Sequence, residues 1–146
     1  MIDRSLTNMI RYGYRHGIPV FFLVEDLFRA DVKAAFVRIE VFKRFFSLGF
    51  EWVMWTDVDW LFYDFDQDLR DKIALAGDDH DAIASYSCLH PGQRRMMSGT
   101  MILRNSVIGE KILFTWEHVY YPLFRKHVNH DQMAFQAMMW NETALS

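Results

Sequence analysis

A short apolar segment that runs straight into two aspartates constrains this chain more than any other feature. Residues 52–55 form an apolar run of the kind found in a buried strand of an α/β sheet. Asp57 and Asp59 follow with one residue between them. Alternation along an extended chain points both side chains the same way, on the order of 6–7 Å apart. Because open α/β sheets bind ligands at the carboxyl ends of their strands, the pair predicts a ligand site.

A cation is the expected partner of the two aspartates. Burying two like charges together costs free energy unless a cation joins them. Oxygen ligands suit Mn²⁺ or Mg²⁺, and such ions commonly hold substrate phosphates through only one or two protein carboxylates. The sequence therefore predicts metal and phosphate chemistry at Asp57 and Asp59. The alternative interpretation of the pair is a solvated turn.

Composition excludes several other classes of function. The chain has 146 residues, which predicts a single domain over residues 1–146, and 51% of them are hydrophobic, which is enough for a packed core. A net charge of −3 without a basic stripe argues against a nucleic-acid partner. The apolar run at 18–24 is too short to cross a bilayer, and the polar N-terminus is unlike a signal peptide. We therefore expect a soluble chain with no membrane segment in it.

Segments of strand and helix character alternate along the chain. This order predicts an α/β fold with a single, partly parallel sheet flanked by helices. The expected strands cover residues 19–24, 52–55, 81–86 and 100–104, and a loop is expected over 88–98. The expected helices cover residues 5–12, 31–48, 66–75, 106–125 and 131–140. Gly13 and Gly17 can each stop the first helix, and Ser106 can cap the fourth.

Four motifs follow one another through these elements. Residues 12–17 (Tyr-Gly-Tyr-Arg-His-Gly) close the first helix, and residues 52–59 (Trp-Val-Met-Trp-Thr-Asp-Val-Asp) carry the aspartate pair. Residues 98–105 (Ser-Gly-Thr-Met-Ile-Leu-Arg-Asn) contain a later strand, and residues 131–132 (Asp-Gln) begin the last helix. In this order they resemble the A-type (GT-A fold) glycosyltransferases, which use nucleotide-sugar donors. The first likeness is to the galactosyl- and xylosyltransferase family of cell-wall and glycan synthesis, and the second is to the nucleotide-diphospho-sugar transferases.

The resemblance implies a GT-A-like (Rossmann-like) sheet. The family begins with a nucleobase-binding strand and has a later metal-binding histidine, and neither has a match in this chain. We therefore expect the central part of such a domain, truncated at both ends. Met97 stands where the family has an asparagine, and Ser98 stands where it has a threonine.

The resemblance also implies roles for the aspartate pair and for one arginine. Asp59 would be the direct ligand of Mn²⁺ (or Mg²⁺). Asp57 would bind the donor ribose and, directly or through water, the metal. Arg38 matches a basic position that approaches the donor, and the alternative is an ordinary solvated charge on a helix.

Around the donor sugar, the resemblance implies two further pairs of residues. Ser98 and Gly99 would line the sugar pocket, and the alternative for them is a tight turn into a strand. Asp131 and Gln132 would be the catalytic residues beside the anomeric carbon. The alternative for Asp131 is a structural role, because an acid at a helix N-terminus caps the helix and complements its dipole.

The expected function is metal-dependent transfer of a hexose or pentose from a nucleotide-sugar donor. A UDP-sugar is favoured over a GDP-sugar, the acceptor would be a hydroxyl of a glycan or protein, and the families named act with retention. One alternative is a fragmentary, non-catalytic homologue that acts as a binding module. Another is a Mg²⁺-dependent phosphatase of the haloacid-dehalogenase kind, with Asp57 as nucleophile. Family members are often held in the Golgi lumen by an N-terminal membrane anchor. The resemblance implies that location for this chain if such an anchor lies outside it.

Overall fold

A computed structural model describes residues 2–23, 37–90, 93–124, 126 and 130–141 of the chain. The chain forms two compact units. The first unit consists of Met1–Leu27 and Thr56–His80, and the second of Phe28–Trp55 and Asp81–Ser146. The elements are a mixture of helices and a three-stranded sheet, so the expected α/β class is confirmed.

The first unit is built on helix α1, Ile2–His16. Asp3 in its first turn and Arg15 in its last complement the helix dipole. Ser5, Met9 and Tyr12 are buried, and their spacing of four and three residues places them on one face of the helix.

Two glycines shape the end of α1. Gly17 has φ +63° and ends the helix, as the sequence predicted, because a residue without a Cβ adopts this conformation readily. Gly13 was also expected to stop the helix, but it lies within it. A Cβ at Gly13 would meet the Val20 side chain at 2.3 Å and the Ile18 carbonyl oxygen at 2.7 Å. Gly13 therefore permits the chain to fold back closely against the helix.

The first unit also contains helix α3, Leu69–Ala76, which follows a non-helical segment. Asp68 is its N-cap, and the side chain accepts a hydrogen bond of 2.9 Å from the backbone N–H of Arg70. Gly77 ends the helix with φ +84°. The short polar helix expected over 66–75 is thus present, but it starts three residues later, at Leu69 after the capping Asp68.

The second unit contains helix α2, Val37–Ser47, and a small sheet. The strands are β1 (Trp52–Thr56), β2 (Ala82–His90) and β3 (Gln93–Arg104), in the order β1-β3-β2. Strands β2 and β3 pair antiparallel. The expected Rossmann-like parallel sheet is not shown among the strands that the structure describes.

A change of register interrupts the pairing of β2 with β3. Ala84 pairs with Met101, yet the next residue, Ser85, pairs with Met97. Residues 98–100 therefore bulge from β3. A bulge of this kind bends a strand and redirects its side chains.

The helical part of the second unit follows β3. It consists of α4 (Val107–Thr115), a π-helical segment (Trp116–Tyr120), α5 (Tyr121–Phe124) and α6 (His130–Trp140). Ser106 caps α4 as predicted, because its Oγ accepts a 3.0 Å hydrogen bond from the Gly109 N–H. Most residues of the expected helix 106–125 are helical. The prediction of one continuous α-helix was wrong, because a π-helical segment interrupts it from Trp116 to Tyr120.

The core of the second unit draws on α2, β3 and the helices that follow. Burial of one large apolar side chain contributes on the order of 1.5–3 kcal/mol. The largest fully buried apolar side chains here are Phe42, Met101, Leu103, Leu113, Trp116, Phe135 and Met138.

Several expected elements differ in extent or are missing. The helix expected over 31–48 is seen from Val37, and residues 31–36 lie outside the described part. The strand expected over 19–24 was wrong: residues 19–23 have no strand and are exposed, and Val24 lies outside the described residues. The loop expected over 88–98 was also wrong, because β2 continues to His90 and β3 starts at Gln93. No helix among the described residues is long and apolar enough to cross a membrane.

Candidate functional site

The two predicted aspartates lie on a turn of the first unit. Strand β1 ends at Thr56, and the Trp60 N–H donates a 3.1 Å hydrogen bond to the Asp57 carbonyl oxygen. The chain therefore reverses over residues 57–60, which we call the aspartate turn. The extended geometry expected for Asp57 and Asp59 was wrong, because alternation does not continue through a turn. Asp57 is partly buried and Asp59 is exposed.

The aspartate turn offers two carboxylates, so a cation there would need further oxygen atoms from a bound ligand. Among the described residues, no three His, Cys, Asp or Glu side chains gather into a metal-binding group. Two carboxylates are enough when substrate phosphates complete the coordination of Mg²⁺ or Mn²⁺. The neighbouring acids have local roles, since Asp64 accepts a 2.9 Å hydrogen bond from the Asp66 N–H and Asp66 pairs with Arg15.

Helix α1 holds the segment that follows the aspartate turn. The Asn8 Nδ2 donates to the Phe62 carbonyl oxygen at 3.0 Å, and the Phe62 N–H donates back to Asn8 Oδ1 at 2.7 Å. The Tyr12 ring stacks on the Phe62 ring, with 3.7 Å between the centroids and 6° between the planes. The Tyr12 hydroxyl donates a hydrogen bond of 2.6 Å to the Gln67 carbonyl oxygen, and burial raises the pKa of this hydroxyl.

The end of α1 contacts the start of α3 through polar groups. His16 Nε2 lies 2.9 Å from the Phe65 carbonyl oxygen, and His16 Nδ1 lies 3.4 Å from Asp68 Oδ2. Arg70 forms a fork on the Asp68 carboxylate and also donates to the His16 carbonyl oxygen. Hydrogen bonds from the Arg70 side chain and backbone lower the pKa of Asp68 to about 2.

The first unit also has a groove of about 550 Å³ between α1 and the segment after the turn. Its walls include Arg4, Arg11, Leu61 and Phe65. Neither Asp57 nor Asp59 lines it, so this groove is not the predicted metal site.

In the second unit, three predicted residues from three distant segments meet. Arg38 on α2 is only 6% exposed, and its Nη2 lies 3.2 Å from Asp131 Oδ2 on α6. Its Nη1 donates to the Ser98 carbonyl oxygen on β3. The Ser98 hydroxyl donates to Asp131 Oδ2 at 3.0 Å. We call Arg38, Ser98 and Asp131 the buried polar cluster.

The bulge in β3 places Ser98 in this cluster. Ser98 and Gly99 are two of the three residues without a partner in the β2 register. Ser98 is 2% exposed, and its hydroxyl and carbonyl groups face α6 and α2 respectively. The alternative of a tight turn into a strand was wrong, because β3 runs on both sides of these residues.

Arg38 is positioned more specifically than its sequence context indicated. Its guanidinium carbon lies 5.4 Å from the centre of the Trp55 ring, which is the range of a cation–π contact. The alternative of a solvated helix charge was wrong, because Arg38 is buried and paired. The Trp55 contact was missed because residues 38 and 55 lie in different elements.

Gln132 lies beside the cluster and contacts Met97, the residue that stands where the family has an asparagine. Its Nε2 donates to the Met97 Sδ at 3.6 Å, and the Gln136 Nε2 donates to the Met96 carbonyl oxygen at 2.8 Å. Methionine sulfur is a weak acceptor. The first two turns of α6 are thus joined to β3 by side-chain amides.

The cluster can hold a carboxylate in a fixed position beside a strand bulge. The Asp131 side chain is 18% exposed, and a carboxylate has about four acceptor positions. Comparison with protein-family models gives no match to this chain, and comparison with curated proteins gives none.

Proposed function

We propose that this chain is a metal-dependent glycosyltransferase of GT-A-like fold. It moves a hexose or pentose from a nucleotide-sugar, a UDP-sugar rather than a GDP-sugar, to a hydroxyl of a glycan or protein. The buried polar cluster carries the proposal. The resemblance assigned Arg38, Ser98 and Asp131 to donor binding, and these three residues from α2, β3 and α6 contact one another.

In the proposed function, the buried polar cluster binds the donor sugar. Asp131 and Gln132 contact sugar hydroxyls near the anomeric carbon, and Ser98 and Gly99 provide the bulged strand against which the sugar lies. Arg38 holds the Asp131 carboxylate through Nη2 and the Ser98 carbonyl oxygen through Nη1. This preorganisation is what a transfer reaction requires, because a misplaced sugar loses much of the rate.

The aspartate turn has the metal-binding role. Asp59 is the proposed ligand of Mn²⁺ (or Mg²⁺), and Asp57 contacts the ribose and the metal. When bound, the cation supplies positive charge that stabilises the diphosphate leaving group. Transfer is with retention, and the protein residues bind and orient the donor. A Golgi-luminal location belongs to the proposal if a membrane anchor precedes this segment.

Calorimetric titration of UDP and of GDP, with and without Mn²⁺, tests the metal role. We expect UDP to bind only with Mn²⁺, and Asp59→Ala to weaken that binding at least tenfold. Asp79→Ala is the matched control, since Asp79 is also an exposed acid of the first unit. A folded wild-type chain that binds neither nucleotide with Mn²⁺ would contradict the proposal.

The catalytic role of Asp131 has a separate test. Asp131→Asn keeps the shape of the side chain but removes the charge that pairs with Arg38. We expect donor turnover, measured as UDP release from UDP-galactose, UDP-xylose and UDP-glucose, to fall at least tenfold more than UDP affinity does. Equal losses of turnover and affinity, with an unchanged unfolding temperature, would assign Asp131 a structural role instead.

A non-catalytic binding module is the second candidate. It is favoured by one observation: Arg38 and Ser98 already engage the Asp131 carboxylate, as a purely structural ion pair would require. Mn²⁺-dependent nucleotide binding without turnover of any UDP-sugar would support this candidate.

A further inference from the structure

We infer that helix α1 is the positioning element of the aspartate turn and that Asn8 is its main contact. All the residues involved belong to the first unit. The effect on metal affinity depends on the proposed function, whereas the effect on the order of the turn does not.

Asn8 fixes the chain immediately after the turn. Its side-chain amide makes two reciprocal hydrogen bonds with the backbone of Phe62, 3.0 and 2.7 Å long, as a neighbouring strand would. Phe62 lies three residues beyond Asp59, and only Leu61 separates it from the end of the turn at Trp60. A residue spans at most about 3.6 Å of extended chain, so anchoring Phe62 restricts where Asp59 can lie.

Tyr12 strengthens the same anchor. It lies four residues after Asn8, which puts both side chains on one face of α1. The ring stacks on Phe62, and the hydroxyl donates to the Gln67 carbonyl oxygen. The segment from Phe62 to Gln67 is therefore held at both ends by one helix.

Burial orders the aspartate turn only weakly. Val58 and Leu61 are each 54% exposed, and Asp59 and Trp60 are also exposed, so burial contributes little there. The Trp60–Asp57 hydrogen bond closes the turn internally. The Asn8–Phe62 contact therefore fixes the chain on the C-terminal side of the turn.

Backbone ¹⁵N order parameters in wild type and Asn8→Leu test this inference. The substitution keeps the size of the side chain and removes both hydrogen bonds. We expect the order parameters of the Val58–Leu61 amides to fall from about 0.85 in wild type to below about 0.6 in the variant. The amides of Met101–Leu103 in the second unit should not change. Thr7→Leu, at an exposed position on the same helix, is the matched control and should leave the turn ordered.

If Asn8→Leu does not fold, Asn8→Asp replaces it, because an aspartate keeps the acceptor for the Phe62 N–H and sets a carboxylate oxygen against the Phe62 carbonyl oxygen in place of the donor. An intermediate loss of order at Val58–Leu61 is then expected. Unchanged order parameters in a folded Asn8 variant would overturn the inference.

Mn²⁺ titration in the presence of UDP then separates positioning from simple structural support. We expect the Asn8 variant to bind Mn²⁺ at least tenfold more weakly than wild type, with the unfolding of the second unit unchanged. A disordered turn with unchanged Mn²⁺ affinity would overturn the positioning role. A wild-type chain that binds no Mn²⁺ would refute the proposed function, and the order parameters would still decide whether α1 orders the turn.

Discussion

At the scale of single residues, two arginines of the second unit make similar contacts in different surroundings. Arg38 and Arg104 each lie 5.4 Å from the centre of a tryptophan ring and each pair with an acid. Arg38 and its partner Asp131 are largely buried, whereas Glu51, the partner of Arg104, is 69% exposed. A buried charge that loses its partner keeps its desolvation cost, whereas an exposed one is resolvated by water.

We therefore predict unequal effects of the same substitution at these two positions. Arg38→Met should lower the free energy of unfolding by about 3 kcal/mol or more, because the largely buried Asp131 carboxylate loses the guanidinium group that lies 3.2 Å away. Arg104→Met should lower it by less than about 1 kcal/mol. Urea unfolding of both variants measures the difference. Equal losses of unfolding free energy in the two variants would show that Arg38 and Asp131 are not a coupled ion pair. In the double variant Arg38→Met, Asp131→Leu, part of the stability lost in Arg38→Met should be recovered.

The residues of the cluster could be picked out from the sequence, but their contacts could not. Ser98 and Asp131 lie in recognisable motifs, so their chemistry was visible locally. Their pairing with Arg38 joins residues 60 and 93 positions apart in the sequence, which no local pattern encodes. Asn8 was missed for a similar reason: a single asparagine on a polar helix gives no signal until its partner Phe62 is known.

At the scale of elements, the local signals of helix ends were the most reliable. Ser106 capped α4 as predicted, and Gly17 ended α1, because caps act through bonds and torsions within a few residues. Strands were less predictable, since pairing is not local. The apolar run at 19–23 was expected to be a buried strand, but these residues are exposed and form no strand. Pairing between β2 and β3 continues to His90 and Gln93, where a loop was expected.

The cap of α3 gives a pH-dependent prediction. Arg70 holds the pKa of Asp68 at about 2, below its ordinary value of 3.8. A lowered carboxyl pKa stabilises the folded state above the ordinary value, and this contribution is lost as the pH falls from about 4 to about 2. Asp68→Asn should therefore show a smaller loss of stability over that range than wild type does.

Thermal unfolding of both proteins between pH 2 and pH 5 measures this contribution. Asparagine is a good N-cap, so the variant keeps an acceptor for the Arg70 N–H but loses the charge and one of the two oxygens that accept from the Arg70 side chain. Parallel pH profiles for wild type and Asp68→Asn would contradict the prediction.

At the scale of the whole molecule, the two units have very different interiors. The buried apolar residues described in the first unit are Met9 and Tyr12, and polar side chains of α1 form hydrogen bonds with the backbone of residues 62–67. The second unit buries large side chains such as Phe42, Trp116 and Phe135 completely. The single domain expected over residues 1–146 stays a prediction. It requires that the two units unfold together.

Native-state hydrogen exchange should show separate opening of the two units. Because local stability follows buried apolar contact, we expect amides of α1 to exchange at least tenfold faster than those of Met101–Leu103, a difference of about 1.4 kcal/mol or more. Tyr12→Phe removes the bond to the Gln67 carbonyl and should speed exchange in α1 and α3 alone. Tyr14→Phe, at a side chain that is 91% exposed on the same helix, is the matched control. If Tyr12→Phe accelerates exchange equally in β3, the units open together, and the contacts of α1 then support the entire domain rather than the aspartate turn alone.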